Sequence, residues 1–426
     1  MRKTQNRLWA GLGVLFFIGT LLRVLYVQDM EYKEDEEYNF TQTQLIGNSQ
    51  PWPWYGIPSG VYLVNPGMSI WVFAVLAKLF GIHSPTSLAH AVQAFALLGI
   101  AMILPFAFRF VQDSKERQVW LWAFALSLVN PFLILYQRKL WPEPFLPFFV
   151  MLTFMGWWRR ERWGYALLWG AVGACLGQIH MSGFFFAAGL FLWTLAFDPR
   201  PKKTCWKAWT AGSILGALPL VPWAYTVLTH PVEGRISAGL DEITQLKYWT
   251  FWITDPTGLT LGNPLGLLRG SSNWAQISDF VRYPLVSGHA SYVVGIFHAV
   301  ALISSILIYI FAVRRMVTWN PRKWAQILIG RDSNSVFLQN SALIACGILM
   351  TLTGVVIRRY YMTITFPLEF IFLIHLARPD TTTGKRLLGA LWIAELVISM
   401  GFVHYIHQNQ GSIQGDYGEA YHLKVK

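Results

Sequence analysis

Apolar residues fall in long runs separated by short polar segments, a pattern typical of helices that cross a membrane. About 20 helical residues span the roughly 30 Å of hydrocarbon in a bilayer. The runs cover residues 8–27, 67–80, 88–111, 118–136, 144–157, 163–178, 183–197, 208–228, 291–313, 336–357, 360–377 and 386–406. The short run at 67–80 follows Asn65-Pro66-Gly67 and predicts a helix lying along the membrane surface. The pattern therefore predicts an all-α integral membrane protein with about 11 transmembrane helices.

The basic residues favour this arrangement over one in which 67–80 also spans the membrane. With 67–80 at the surface, the N-terminus and every second later loop lie in the cytoplasm, and these loops hold the basic clusters, as the positive-inside rule requires. The clusters are Arg2/Lys3/Arg7, Lys115/Arg117, Arg159/Arg160/Arg162, Arg200/Lys202/Lys203, Arg314/Arg315/Arg322/Lys323 and Arg378/Lys385/Arg386. Counting 67–80 as a span would turn all the later clusters outward.

Composition supports a membrane location. Hydrophobic residues make up 54% of the 426 positions and charged residues 13%, whereas soluble domains carry about 25% charged residues. The 21 Trp and 17 Tyr residues suit membrane interfaces, where amphipathic rings collect. The net charge of +12 lies in short loop clusters, so no nucleic-acid partner is predicted. The three cysteines show neither a disulfide framework nor a metal-binding spacing.

Two longer polar segments are predicted on the extracytoplasmic side, at 28–87 and 229–290. Neither is long enough for a large separate domain, so residues 1–426 are predicted to form a single transmembrane domain. The first loop carries an acidic run directly after the first helix. The run consists of Glu31, Glu34, Asp35, Glu36 and Glu37. Such a run alone is more often a solvated loop, but one of its carboxylates can also act as a general base.

Cationic pairs on the same side are more informative. Arg138-Lys139 and Arg358-Arg359 are predicted at the outer ends of helices, against the positive-inside bias. Either pair alone is explained by side chains that extend toward lipid phosphates. Two pairs beside an acidic loop instead favour an anion-binding site. A phosphate is the expected anion, because a guanidinium group binds it with two parallel hydrogen bonds. Glu143 either caps the next helix or orients an acceptor.

His180, at the same interface, is by itself more often a structural residue. No phosphate-binding glycine loop, zinc-protease motif or nucleophile elbow is present.

The chain resembles the GT-C superfamily of membrane glycosyltransferases, and within it the bacterial glycosyltransferase family 39 type, related to protein O-mannosyltransferases and lipid A aminoarabinose transferases. The resemblance covers nearly the whole chain. The segments that carry it are Asp35-Glu36, Tyr62-Leu63-Val64-Asn65-Pro66-Gly67-Met68-Ser69-Ile70-Trp71, Lys78-Leu79-Phe80-Gly81, Asn130-Pro131-Phe132, Arg138, Gln178-Ile179-His180, Arg359-Tyr360-Tyr361 and Pro367. The chain departs from the family at Glu143, where many relatives have Asp, and at Gly67, where a second proline is common.

The resemblance implies inverting transfer of a hexosyl or pentosyl group from a polyprenyl-phosphate sugar on the extracytoplasmic face of a bacterial cytoplasmic (inner) membrane. It implies that Asp35 and Glu36 are the catalytic acids and that Arg359 holds the donor phosphate. The other residues expected near the phosphate are Arg138, Lys139, Arg358 and Tyr360. Glu143 and His180 are expected to orient the acceptor. If these cations neutralise the phosphate, the reaction needs no metal, so no cofactor is predicted.

Two other functions remain open from the sequence. A transporter or flippase of lipid-linked sugars also needs outer cations, but it predicts inverted repeats and charged groups near the membrane midplane, which the sequence does not show. A glycan polymerase or ligase would have a large, arginine-rich outer loop. The sequence does not distinguish a lipid, glycan or protein acceptor.

Overall fold

The computed structural model describes residues 2–58, 64–198, 203–229, 240–259, 274–318, 320–331, 333–412 and 417–424. Parts of the predicted loop 229–290 therefore lie outside the described residues, as do Tyr62-Leu63, Arg200 and Lys202. The α-helices are α1 (Arg2–Val24), α2 (Glu34–Leu45), α3 (Met68–Phe80), α4 (Pro85–Ala101), α5 (Ile103–Arg109), α6 (Ser114–Val129), α7 (Pro131–Gln137), α8 (Leu146–Trp158), α9 (Trp163–Ile179), α10 (Ser182–Phe197), α11 (Trp206–Ala217), α12 (Val221–Thr229), α13 (Leu240–Thr244), α14 (Lys247–Thr254), α15 (Trp274–Arg282), α16 (Val293–Val317), α17 (Pro321–Ile329), α18 (Asn334–Asn340), α19 (Gly347–Leu352), α20 (Leu368–Ala377), α21 (Thr382–Asn409) and α22 (Tyr421–Lys424).

The helical, multi-pass architecture that the sequence predicts is confirmed. Within the described ranges, six helical segments are long and apolar enough to cross a membrane, and two bent pairs raise the number to eight. The segments are Gln5–Val24, Pro85–Arg109, Trp206–Thr229, Val293–Val317, Asn334–Leu352 and Thr382–Asn409, with the bent pairs Ser114–Val129/Pro131–Gln137 and Arg359–Thr365/Leu368–Ala377. Helices α8, α9 and α10 have 13, 17 and 16 residues and fall short of a full span. The count of about 11 spans stays a prediction.

Short β-strands, which the all-α prediction did not include, accompany the helices in the described residues. The antiparallel pairs are β1 (Tyr55–Pro58) with β2 (Val64–Pro66), β3 (Leu285–Val286) with β4 (His289–Ala290), and β5 (Gly411–Ser412) with β6 (Gly418–Glu419). The first pair leads directly into α3. Gly67 sits at that junction, where an added Cβ would lie 2.2 Å from the carbonyl oxygen of Pro53. This close approach explains why glycine, and not a second proline, occupies the position.

Asn130 and Pro131 produce the bend between α6 and α7. The Asn130 side-chain oxygen accepts hydrogen bonds from the backbone N–H groups of Phe132 and Leu133, at 3.1 and 3.3 Å, and so caps α7. Proline suits the first helical position because its missing N–H needs no partner there. The two helices meet at 57°. The bend carries the chain toward the residues around Arg138.

The acidic run predicted as a loop is the start of helix α2. Residues Glu34–Leu45 are helical, and the carboxylates lie in the first turn, where the partial positive charge of the helix N-terminus favours them. Helix α2 packs on β1 and α3 through a small apolar cluster of Ile46, Ile57, Ile70 and Ala74. This packing fixes the orientation of the turn that bears Asp35.

Candidate active site

Asp35 lines a cavity of about 400 Å³ at one end of the helix bundle. Its side chain is partly exposed, as a group that meets a substrate must be. Partial burial raises the pKa of Asp35 above its usual value, while the nearby charge of Lys139 opposes that rise. A reachable carboxylate with a raised pKa is a better proton acceptor than an ordinary aspartate, and this suits a general base.

Glu143 and His180 face each other in the same cavity. Nδ1 of His180 accepts the backbone N–H of Ser182 at 3.3 Å and lies 2.7 Å from its hydroxyl, which places the ring proton on Nε2. Nε2 lies 3.4 Å from Glu143 Oε1. Burial raises the pKa of Glu143 to about 8 and lowers that of His180 to about 4. Both groups are therefore neutral at pH 7, and their contact is not an ion pair.

Aromatic and amide side chains complete the wall of the cavity. The rings of Trp141 and Tyr360 lie 5.0 Å apart, and those of His180 and Tyr361 lie 5.1 Å apart. Tyr360, predicted beside the donor phosphate, contributes to this aromatic wall. The described lining residues are Asp35, Asn39, Ile57, Asn65, Trp141, Pro142, Glu143, His180, Met181, Ser182, Phe185, Met350, Thr353, Val355, Ile357, Tyr360 and Tyr361.

Glu36 does not face the cavity. Its Oε2 accepts the backbone N–H of Lys33 at 3.0 Å, the reach-back contact that closes the first turn of a helix. The side chain is 1% exposed, and burial together with the charge of Glu31 raises its pKa to about 7. In this structure the carboxylate caps α2, and the catalytic role of Glu36 stays a prediction.

Lys139 is enclosed by acidic and aromatic groups. Its ammonium forms an ion pair with the buried Glu31 and lies 4.3 Å from the centre of the Trp141 ring. Glu31 also pairs with Lys33 at 2.7 Å. A buried cation needs such partners to offset its lost hydration. Lys139 therefore neutralises the carboxylates behind Asp35, and its contact with a donor phosphate stays a prediction.

Arg138 anchors the end of α1. Its guanidinium donates to the carbonyl oxygens of Arg23, Leu25 and Tyr26 at 2.8, 2.7 and 3.0 Å. A cation is favourable there, because the last carbonyl groups of a helix lack partners and carry partial negative charge. The side chain is buried and absent from the lining of the cavity. In this structure Arg138 holds the connection between α1 and α2, and its phosphate role stays a prediction.

Arg358 and Arg359 point to different surroundings. Arg358 is exposed beside the cavity residue Tyr360 and makes no hydrogen bond or ion pair with the described residues. Arg359 is buried, with Nε 3.3 Å from Asp255 Oδ1 and the guanidinium 4.9 Å from the Phe251 ring centre. Of the four predicted phosphate-binding cations, Arg358 is therefore the one whose placement suits an external anion. The phosphate-binding role of Arg359 stays a prediction, and in this structure its guanidinium lies against Asp255.

The sequence analysis missed Asp255, Asn39 and Asn65. Burial raises the pKa of Asp255 to about 7 even though Arg359 lowers it. Asn39 donates to the Leu140 carbonyl oxygen at 2.7 Å, and its own Oδ1 is buried without a hydrogen-bond partner in the described parts of the chain. Asn65 donates to the Ile57 carbonyl oxygen at 2.9 Å. Only Asn65, in the Asn-Pro-Gly segment, had a signal in the sequence.

No group of three or more His, Cys, Asp or Glu side chains able to hold a metal occurs among the residues that the structure describes. The predicted independence from metal stays a prediction.

Residues 14–221 match the profile of the Alg9-like mannosyltransferase family. The match covers just under half of the chain, and this family also belongs to the GT-C superfamily. The resemblance to GT-C membrane glycosyltransferases is therefore confirmed. The sequence resembled the family 39 type more closely, whereas the matching profile is the Alg9-like one. No curated protein sequence gives a significant match.

Solved structures show a distant likeness. ArnT from Cupriavidus metallidurans bound to undecaprenyl phosphate has a TM-score of 0.41 and 12% identity, with 94% of this chain and 79% of that chain covered. The archaeal oligosaccharyltransferase AglB from Archaeoglobus fulgidus, in complex with an inhibitory peptide and a dolichol-phosphate, has a TM-score of 0.46 and 13% identity, with 97% of this chain covered. This chain spans 56% of the archaeal protein. These values are too low to transfer any residue role.

Proposed function

We propose that this protein moves a sugar from a polyprenyl-phosphate donor to a hydroxyl acceptor, with inversion at the anomeric carbon. The observation that carries the proposal is the convergence of Asp35, Glu143 and His180 on one cavity. These side chains come from three separate segments of the chain. Folding thus brings together a basic carboxylate and a neutral hydrogen-bonding pair, the groups that activation and orientation of an acceptor hydroxyl require.

The reaction activates the acceptor hydroxyl and releases polyprenyl phosphate from the donor. Asp35 accepts the proton of the acceptor hydroxyl while its oxygen forms a bond to the anomeric carbon of the sugar. The bond between that carbon and the phosphate oxygen breaks on the opposite face, and polyprenyl phosphate leaves with the electron pair. Attack opposite to the leaving group inverts the anomeric configuration. The proton ends on Asp35 and then passes to solvent, to which the side chain is exposed.

Arg358 is the proposed partner of the donor phosphate. Its guanidinium can form two parallel hydrogen bonds to phosphate, and its charge stabilises the negative charge that develops on the leaving group. The residue is exposed next to Tyr360, so it reaches a lipid phosphate without breaking an internal ion pair. This proposal adds Arg358 to the predicted phosphate partner Arg359, which lies beside Asp255 in this structure.

The cavity wall suits a sugar ring. Trp141 and Tyr360 offer aromatic faces for the C–H groups of a sugar. Asn39 Oδ1 and Glu143 Oε2 are buried polar atoms without hydrogen-bond partners among the described residues, and both side chains line the cavity. Such atoms gain free energy when a ligand hydroxyl supplies the missing bond.

The charge pattern supports an extracytoplasmic site in a bacterial cytoplasmic membrane. Lys385 and Arg386 lie in the first turn of α21, whereas His407 near its other end contacts Asp29, close to the helix that bears Asp35. The positive-inside rule places the basic end in the cytoplasm and the cavity on the opposite side.

The test uses purified protein in lipid nanodiscs, a panel of radiolabelled polyprenyl-phosphate hexoses and pentoses, and lipid, glycan and peptide acceptors. The proposal predicts a covalent product with inverted anomeric configuration for at least one combination. A product with retained configuration contradicts the single displacement. Movement of labelled donor between leaflets of proteoliposomes, without any covalent product, would instead identify a flippase.

A further inference from the structure

Two neighbouring cavities lie at the end of the bundle away from the candidate active site. Helix α21 has 28 residues and is therefore about 40 Å long. His407, near its C-terminal end, contacts Asp29 at 2.7 Å, whereas Thr381 and Gly384 at its N-terminal end border the first of these cavities. The proposed glycosyl transfer uses neither cavity.

The first cavity, which we name the head cavity, has a volume of about 290 Å³ and two arginines in its wall. Arg315 is half-buried, and its guanidinium makes no hydrogen bond or ion pair with the described residues. Arg378 pairs with Asp380 at 2.8 Å. The cavity therefore offers two guanidinium groups against one carboxylate, a balance that favours an anionic ligand.

The backbone holds Arg378 in place at the head cavity. Arg378 has a φ of 60°, in the left-handed region that most side chains avoid, and it ends α20. Gly384 packs so closely on it that an added Cβ would lie 2.1 Å from the Arg378 carbonyl oxygen. This approach sets Arg378 beside the N-terminus of α21, where free N–H groups and the helix dipole also favour negative charge.

The second cavity, the tail cavity, is apolar and has a volume of about 310 Å³. It shares Arg315 and Leu376 with the head cavity, so the two are neighbours. Its wall includes Leu343, Ile344 and Phe372. An adjoining pair of one cationic and one apolar cavity matches the two parts of an anionic lipid.

Helix α17 forms one side of the tail cavity through Trp324, Ile327 and Leu328. Trp324 and Leu328 nevertheless remain 37% and 48% exposed, and the helix buries none of its residues. The neighbouring Arg322 and Lys323 are also exposed. A short helix with exposed aromatic, aliphatic and cationic groups suits the boundary between lipid headgroups and acyl chains.

We propose that the head and tail cavities together bind one anionic phospholipid, with the phosphate between Arg315 and Arg378 and an acyl chain beneath α17. The basic end of α21 places this lipid in the leaflet opposite the candidate active site. The bound lipid is a structural or regulatory ligand, separate from the polyprenyl-phosphate donor.

The test measures lipid retention by native mass spectrometry on protein from nanodiscs that contain phosphatidylglycerol and phosphatidylcholine. Arg315→Gln and Arg378→Gln are each expected to lower phosphatidylglycerol retention about fivefold, because an arginine near an anionic headgroup contributes about 1 kcal/mol. Arg314→Gln and Lys385→Gln are the matched controls. Both are exposed cations at the same end that line neither cavity, and retention should not change. Equal losses in all four variants would overturn the site in favour of a diffuse charge effect.

Two further arms separate the lipid from free phosphate. Ile344→Trp fills the tail cavity without changing charge and should lower retention while the melting temperature stays within the range of the control variants. Millimolar inorganic phosphate should not displace the bound lipid. Unchanged retention in Ile344→Trp would overturn the acyl-chain part of the proposal, and displacement by phosphate would overturn the lipid itself.

Discussion

Nε2 of His180 lies 3.4 Å from Oε1 of Glu143, and the backbone N–H of Ser182 orients the histidine ring so that Nε2 faces this carboxyl group. The acceptor side of the cavity is therefore built from two neutral groups at pH 7. Glu143 keeps Oε2 buried without a hydrogen-bond partner in the described part of the chain. The protonated carboxyl can donate from this oxygen to a bound hydroxyl or ether oxygen.

The protonation of Glu143 predicts an alkaline limit to activity. Because its pKa is raised to about 8, the neutral donor form dominates below that pH and is lost as pH rises through it. Transfer rates measured from pH 6 to 10 should fall on the alkaline side near pH 8. Glu143→Gln keeps a neutral donor at every pH, so its transfer rate should not fall near pH 8 and activity at pH 7 should be retained. If the fall in rate near pH 8 persists in Glu143→Gln, another group causes it.

Replacing Arg358 or Arg359 by glutamine should have different effects. Arg358→Gln removes an exposed cation and is expected to raise KM for the donor about tenfold or more, since hydrogen bonds to charged groups contribute about 1.5–3 kcal/mol. Its melting temperature should match that of the parent protein. An unchanged donor KM would remove Arg358 from the phosphate site.

Arg359→Gln should instead reduce stability. Loss of one partner of a buried ion pair leaves the other charge uncompensated and typically costs about 3–5 kcal/mol. Because the pKa of Asp255 is raised to about 7, the thermal midpoint in detergent should fall more at pH 9 than at pH 6, and the double variant Arg359→Gln/Asp255→Asn should recover part of the loss at pH 9. A stable Arg359→Gln protein with a raised donor KM would restore Arg359 as the phosphate ligand.

The C-terminal segment braces the connection between α1 and α2. The Tyr417 hydroxyl donates to the carbonyl oxygen of Asp29 at 2.8 Å. The backbone N–H of Tyr421 donates to the carbonyl oxygen of Met30 at 2.9 Å. Removal of residues 411–426 is therefore expected to lower kcat by displacing the turn that bears Asp35, while circular dichroism shows the helices intact. Glu419→Gln changes an exposed side chain of the same segment and serves as the control. Full activity in the truncated protein would show that the segment does not position the site.

The helices were predictable from the sequence because long apolar runs have few alternatives in a bilayer. The convergence of Asp35, Glu143 and His180 on one cavity agrees with their predicted grouping at one membrane surface. The sequence did not show which of Asp35 and Glu36 faces the cavity, because adjacent residues on a helix point in different directions and only Asp35 lines it.

The cations were harder to assign, because the sequence does not show which partners a charged side chain will meet. Arg138 is satisfied by carbonyl groups at the end of α1, more than 100 residues earlier in the chain. Arg359 forms an ion pair with Asp255, which lies about as far away along the sequence. Both contacts depend on tertiary packing. The number of full spans also remains a prediction, because whether a short helix such as α8 crosses the membrane depends on its position in the bilayer.

The most direct test of the account compares Asp35→Asn with Glu34→Gln in sugar transfer at saturating acceptor. Both variants remove one acid from the exposed first turn of α2, but only Asp35 lines the cavity. Loss of a general base costs about 10²–10⁴-fold in rate, so Asp35→Asn should lower kcat by at least about 100-fold while Glu34→Gln stays close to the parent enzyme. Equal rates in Asp35→Asn and the parent would contradict the account.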